Sequence, residues 1–78
     1  MILEIISPEK TLFSGDVASV TFPGKKSAFT VLDKHAPLIS SLEKGKIHFV
    51  AQGKEQTITI SSGFIEVKHN IITVSVEL

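Results

Sequence analysis

The strongest constraint on this chain is a period-two alternation of apolar and polar residues, repeated in short segments. Val20 and Phe22 alternate with Ser19 and Thr21, and Ile47 and Phe49 with Lys46, His48 and Val50. Ile58 and Ile60 alternate with Thr57 and Thr59, and Ile72, Val74 and Val76 with Ile71, Thr73 and Ser75. Successive side chains of a strand point to opposite faces, so each segment reads as a strand with one buried and one wetter face. Ile, Val and Thr, which pack well on a pleated surface, dominate these stretches. Between them, turn residues recur at short intervals: Ser14-Gly15-Asp16, Pro23-Gly24-Lys25, Asp33-Lys34-His35, Lys44-Gly45, Gln52-Gly53-Lys54, Ser62-Gly63 and His69-Asn70. Only Leu38 to Leu42 competes as a helix, and it is too short. The reading is all-β: a flattened β-sandwich or barrel of short, mostly antiparallel strands.

Composition narrows the function classes. With 78 residues there is room for a single domain whose core must be efficient or completed by a partner. Lys+Arg and Asp+Glu balance at 8 each, without the basic excess that phosphate neutralisation requires. There is no cysteine, which removes disulfides and thiolate metal sites. Met1 runs directly into Ile2-Leu3-Glu4-Ile5-Ile6, with no basic region before it and no long apolar core of a signal peptide. No apolar run approaches the roughly 20 residues that span a bilayer as a helix.

No catalytic, cofactor-binding or metal-binding residues are expected. His35, His48 and His69 are widely separated and lack partners at metal-ligand spacing. His48 falls on the face opposite Ile47 and Phe49 and reads as a solvated histidine; His69, before Asn70, reads as part of a hairpin turn. Gly24-Lys25-Lys26-Ser27 has a superficial likeness to a phosphate loop. The upstream glycine is missing, an extra lysine breaks the order, and a strand follows where a helix N-terminus is needed. Glu4, Glu9, Asp16, Glu43, Glu55 and Glu66 are spread over different elements, with no pair set for acid–base work. Glu66, between Ile65 and Val67, belongs to an exposed face. Phe13, Phe22, Phe29, Phe49 and Phe64 each read as core rather than site; for Phe29, which follows the lysine loop, a place at the loop's exposed base is the alternative left open. Without Tyr or Trp, the five phenylalanines do not read as a stacking surface for single-stranded nucleic acid.

Ordered strings then carry a resemblance. Leu12-Phe13-Ser14-Gly15 follows a first strand and a Ser7-Pro8-Glu9 turn. Next come His35-Ala36-Pro37-Leu38 and Leu42-Glu43-Lys44-Gly45-Lys46-Ile47, then Ile60-Ser61-Ser62-Gly63-Phe64-Ile65-Glu66-Val67 and Asn70-Ile71-Ile72-Thr73-Val74. In order and spacing, from Leu3 to Val76, the chain resembles the N-terminal β-sandwich domain of the epsilon subunit of F-type ATP synthases. Locally these strings have structural jobs. Pro37 biases Ala36 toward extended geometry, and Gly15, Gly45 and Gly63 permit tight turns or close backbone approach.

The resemblance implies a sandwich of about ten strands, without a long helix, that is non-catalytic and belongs to the central stalk. Such a subunit joins the gamma subunit to the c-ring, and ion flow is thereby coupled to ATP synthesis on other subunits. By the same resemblance, Lys25, Lys26, Ser27, Ala28 and Phe29 form the loop facing the polar loops of the c-ring. His35, Ala36, Pro37, Leu38 and Ser40 form the segment facing gamma. No cofactor is implied. The partners are gamma and the c-ring, not nucleic acid, and membrane association comes only through the complex. The place implied is the cytoplasmic side of a bacterial inner membrane.

Two departures from the family pattern stand out. The loop usually carries a Gly-Glu-Leu-Gly-like stretch; here Ser27-Ala28-Phe29-Thr30 occupies it, and Ala28 stands where the glutamate would be. The resemblance also implies a two-helix C-terminal domain in most members. The sequence stops at Glu77-Leu78, so a single sandwich domain over 1–78 without that helical hairpin is expected. The alternative reading is a small β-sandwich protein-interaction module unrelated to ATP synthase, which would share the alternation but not the spaced strings.

Overall fold

The computed structural model describes all 78 residues. Nine strands form, and there is no helix: β1 (Ile2–Ile6), β2 (Thr11–Asp16), β3 (Ser19–Phe22), β4 (Phe29–Leu32), β5 (Leu38–Leu42), β6 (Gly45–Ala51), β7 (Lys54–Ile60), β8 (Ser62–Lys68) and β9 (Ile71–Glu77). They make a five-stranded sheet of order β2-β1-β9-β8-β5 and a four-stranded sheet of order β4-β3-β6-β7. The two sheets face each other as a sandwich, with nine strands where the resemblance implied about ten. Every pairing is antiparallel except β1 with β9, the first and last strands, which run parallel.

The alternation places the core. Val20, Phe22, Ile47, Phe49, Ile60, Ile72, Val74 and Val76 are all buried, and their strand neighbours point outward. All 16 buried residues are apolar, and no buried side-chain polar atom lacks a partner. This agrees with the cost of burying a polar group unpaired. Phe13 closes one flank of the core with its ring 4.6 Å from that of Phe49.

The hairpin turns follow from residue chemistry. Gln52-Gly53 and His69-Asn70 are two-residue loops with φ values of 53° and 74°, and 52° and 62°. Positive φ at both central positions is what a type I′ turn needs, and its twist matches the flanking strands. Both turns fall where the sequence placed them.

Three sequence expectations are corrected. Ser14-Gly15-Asp16 is not a turn: it forms the end of β2, paired with Ile2, Leu3 and Glu4, and the chain turns after it at residues 17–18. Ser62-Gly63 is likewise strand, opening β8. Gly63 allows a close approach there: a Cβ on it would sit 3.1 Å from the Ser75 carbonyl oxygen, a tighter contact than side chains ordinarily make. Phe64 is not core. It is 52% exposed on the outer face of the five-stranded sheet, since Ile65 and Val67 take the inward positions of β8.

The chain changes sheet at residues 17–18, 33–37, 43–44 and at Ser61. Because the strands run up and down, the connections gather at two opposite ends. One end holds residues 7–10, 23–28 and 43–44, Ser61 and Leu78. The other holds Met1, residues 17–18 and 33–37, and the two type I′ turns.

Candidate functional site

The lysine loop occupies the first of these ends. It joins β3 to β4, whose register sets Phe22 against Phe29 at its base. Lys25, Lys26, Ser27 and Ala28 are exposed, and the tip folds back on itself. A Cβ on Gly24 would lie 2.5 Å from the Ser27 carbonyl oxygen and 2.8 Å from Phe29 Cδ1, so only glycine lets the loop close over that ring. Phe29 is half-buried, faces inward, and its ring centroid is 5.6 Å from that of Phe22. It forms the floor of the loop and packs against the core, as expected of it, rather than taking the exposed place that had been left open. A second connection is bound to the same end: the Glu43 N–H donates to the Pro23 carbonyl at 2.9 Å.

The segment running from His35 starts at the opposite end, so the two surfaces suggested by the sequence do not meet. His35, Ala36 and Pro37 are exposed. His35 Nδ1 and the Ala36 carbonyl oxygen lie 2.7 Å apart, and the His35 N–H donates to the Leu32 carbonyl. Pro37 precedes β5, an edge strand of the five-stranded sheet. Leu38 and Ser40 turn their side chains to the inner side of that edge and are half-buried, whereas Ile39 between them is 65% exposed. Ser40 is therefore not the outward group of this strand: its Oγ donates to the Ser41 carbonyl at 3.0 Å. Ile39, passed over in the sequence, presents the apolar surface, and strand parity was the signal that could have found it.

Charged groups that are far apart in sequence meet beside that segment. The Met1 α-ammonium lies 3.0 Å from Asp16 Oδ1 and 3.6 Å from Asp33 Oδ1. The Lys34 N–H donates to Asn70 Oδ1 at 2.8 Å, and Asn70 Nδ2 donates to Asp33 Oδ1 at 2.7 Å. The Asn70 hydrogen bond is the chief cause holding the Asp33 carboxyl below its ordinary value, helped by the α-ammonium and Lys34 and opposed by desolvation. The hydrogen bond to Asp16 is the main cause that raises the Met1 α-ammonium. The carboxylates Asp16 and Asp33 are thus brought together, although the sequence offered no such pair. They are occupied by the ammonium and the amide, a structural clasp rather than an acid–base site.

The histidines do not converge. His48 is exposed, its Nδ1 3.1 Å from Thr57 Oγ1 across the β6–β7 pair, and His69 sits in its turn. No group of three or more His, Cys, Asp or Glu side chains is placed to hold a metal ion. No helix is long and apolar enough to cross a membrane. What the molecule offers is surface: a basic loop at one end, an exposed corner at the other, and an outer sheet face carrying Ile39 and Phe64.

Across residues 1–78 the sequence matches the family described as ATP synthase, Delta/Epsilon chain, beta-sandwich domain. The chain belongs to this family. Among curated relatives it is 47% identical over 76 residues to the ATP synthase epsilon chain of a Nitratiruptor species, covering 96% of this chain and 59% of that one. It is 41% identical over 75 residues to the ATP synthase epsilon chain of Lawsonia intracellularis, covering 96% of this chain and 56% of the relative. The chain therefore spans a little over half the length of these relatives. In fold it is similar to a chain of the Euglena gracilis mitochondrial ATP synthase (OSCP/F1/c-ring), with a TM-score of 0.90 at 22% identity over 97% of this chain and 49% of that one. A chain from the central stalk and c-ring of the Tetrahymena thermophila mitochondrial ATP synthase gives a TM-score of 0.85 at 13% identity, covering 99% of this chain and 63% of that one. The family match sets aside the unrelated interaction module as the alternative reading.

Proposed function

We propose that this sandwich is a non-catalytic central-stalk element of an F-type ATP synthase, linking the gamma subunit to the c-ring and so coupling ion flow to ATP synthesis. The observation that carries the reading is the family match over the full sandwich, residues 1–78. The placement of the two surfaces supports it. A linker between two partners needs separate contact areas, and the loop of Lys25, Lys26, Ser27, Ala28 and Phe29 lies at the end opposite His35, Ala36 and Pro37.

In this reading the lysine loop meets the polar loops of the c-ring. The corner at His35–Pro37, continued by Leu38, Ser40 and the outward Ile39, meets gamma. The domain then works at the cytoplasmic face of a bacterial inner membrane and is held there through the complex. A sandwich that closes apolar surface on gamma forms a stable complex with it. Co-expression with the cognate gamma subunit, followed by affinity purification and size exclusion, is the test. Equimolar co-elution is expected; a folded sandwich that elutes alone overturns the reading.

A further inference from the structure

The two ion pairs of the molecule share one nitrogen. The Met1 α-ammonium lies 3.0 Å from Asp16 Oδ1 and 3.6 Å from Asp33 Oδ1, and so holds the end of β2 to the start of the crossover at residues 33–37. Its place is fixed independently of those carboxylates. The Met1 side chain is only 1% exposed and packs against the core. The Met1 carbonyl accepts from the Val17 N–H at 2.9 Å, and the Ile2 N–H donates to the Asn70 carbonyl at 3.1 Å. Both sides of the first peptide bond are tied down, so residue 1 is part of the fold rather than a frayed end. The crossover has few backbone anchors of its own: the Lys34 N–H bond to Asn70 Oδ1 and the His35 N–H bond to the Leu32 carbonyl.

We infer that the Met1 α-amine is a modification-sensitive site: it has to be a free ammonium for the crossover to be held, and N-acylation, such as the formyl group on which bacterial chains are initiated, releases residues 33–37. This rests on the proposed function in taking the chain to be bacterial and the released corner to be part of the surface that meets gamma. An ammonium brings three donors and a positive charge to the two carboxylates; an acyl amide brings one N–H and no charge. Acylation therefore leaves at least one carboxylate without its donor, and two like charges side by side with no cation between them. No other group takes over. Asn70 is already engaged, with Oδ1 on Lys34 and Nδ2 on Asp33, and no lysine pairs with either carboxylate. The matching reaction is hydrolysis of N-formyl-Met1. Water gives its hydroxyl to the formyl carbon and a proton to the nitrogen as the C–N bond breaks. Formate leaves, and the proton it sheds completes the ammonium.

Free-amine, N-formyl and N-methyl forms of the 78-residue chain, made by chemical synthesis, test this by NMR hydrogen exchange. The N-methyl form keeps the charge and two of the donors. Exchange at the Lys34 and His35 amides is expected to rise about fivefold in the formyl form and to stay at the free-amine rate in the N-methyl form. Phe49, in the central strand β6, should exchange alike in all three. Equal exchange at Lys34 and His35 in every form overturns the inference. So does an N-methyl chain that behaves like the formyl chain, because bulk rather than charge would then be at work, and so does a rise that includes Phe49. Mass spectrometry of the chain isolated with its native complex should show Met1 present and unmodified; a retained formyl or acetyl group, or a chain that begins elsewhere, overturns it as well. Gamma binding is measured on the same three forms, and the formyl form is expected to bind about fivefold more weakly. Equal affinities overturn the link to gamma. If no form binds gamma while the exchange pattern holds, the proposed function falls and the amine site remains. If the free-amine form binds gamma and exchange is equal throughout, the amine site falls and the proposed function stands.

Discussion

The Asn70 side-chain amide donates to the Asp33 carboxylate across 2.7 Å, joining the last hairpin turn of the five-stranded sheet to the crossover that leaves the four-stranded one. Its oxygen meanwhile accepts from the Lys34 N–H. One side chain thus satisfies both neighbours of the crossover and holds the start of the segment running to His35.

Asp33 makes this clasp visible in acid. Its carboxyl is lowered chiefly by the Asn70 hydrogen bond. A carboxylate depressed in the native state contributes stability above its unfolded value, roughly pH 4, and that contribution is lost as the pH falls through the native value. Asn70→Gly keeps the left-handed φ of 62° accessible but removes both side-chain bonds. The Asp33 carboxyl is then expected to move up toward its ordinary value by NMR titration, and melting temperature to depend less steeply on pH below about 4.

The Met1 α-ammonium gives the opposite sign. Its affinity for protons is raised mainly by Asp16, against the opposing effect of desolvation. A cation raised in the native state contributes fully below its unfolded value, about pH 8, and the contribution is lost as pH climbs through the raised native value. Asp16→Asn leaves an exposed side chain of the same shape and removes the charge. In the 78-residue chain, the amine is expected to titrate at lower pH by NMR, and the alkaline fall in melting temperature to flatten.

Most strands were legible because inward and outward parity leaves a mark on the sequence, and the type I′ turns because Gln-Gly and His-Asn suit φ > 0. Glycine was ambiguous. Gly15 and Gly63 read as turns, yet each lies in a strand where a neighbour presses on the backbone: Phe13 at Gly15, Ser75 and Val76 at Gly63. Phe64 was misplaced although the signal was present, since Glu66 was read as outward and residues two apart on a strand share a face. The parallel β1–β9 pair, the Asp33–Asn70 clasp and the Glu43–Pro23 bond between connections were not legible. Each depends on which distant strands become neighbours, and local periodicity does not encode that.

Gly63 tests the close-approach reading. In Gly63→Ala the new methyl would lie 3.1 Å from the Ser75 carbonyl oxygen and 3.3 Å from Val76 Cγ1. Val76 is buried in the core, and Ser75 is held in the β8–β9 ladder, so neither yields freely. Overpacking of this kind costs about 1–3 kcal/mol, read as a lowered urea midpoint with an unchanged slope. No loss would show that the ladder opens there without strain.

The outer face of the five-stranded sheet separates stability from partner binding. Ile39 sits opposite Glu66, and Phe64 lies two residues along β8 on the same face, so the two form a diagonal apolar pair at the edge of the sheet. They are 65% and 52% exposed. Replacing them with serine removes only the buried part of each side chain, about half of Phe64 and a third of Ile39, so each of Ile39→Ser and Phe64→Ser is expected to lower unfolding free energy by about 1 kcal/mol, well short of a core truncation. If gamma covers Ile39, as proposed, and extends over its diagonal neighbour Phe64, the same changes remove apolar contacts from the interface. Binding to gamma by calorimetry should then fall about tenfold or more for the double variant. Thr59→Ala, on the outer face of the other sheet, should leave it unchanged. Equal binding by wild type and both of these variants would place gamma elsewhere on the sandwich, whereas a large fall in stability would show that Ile39 and Phe64 belong to the core after all.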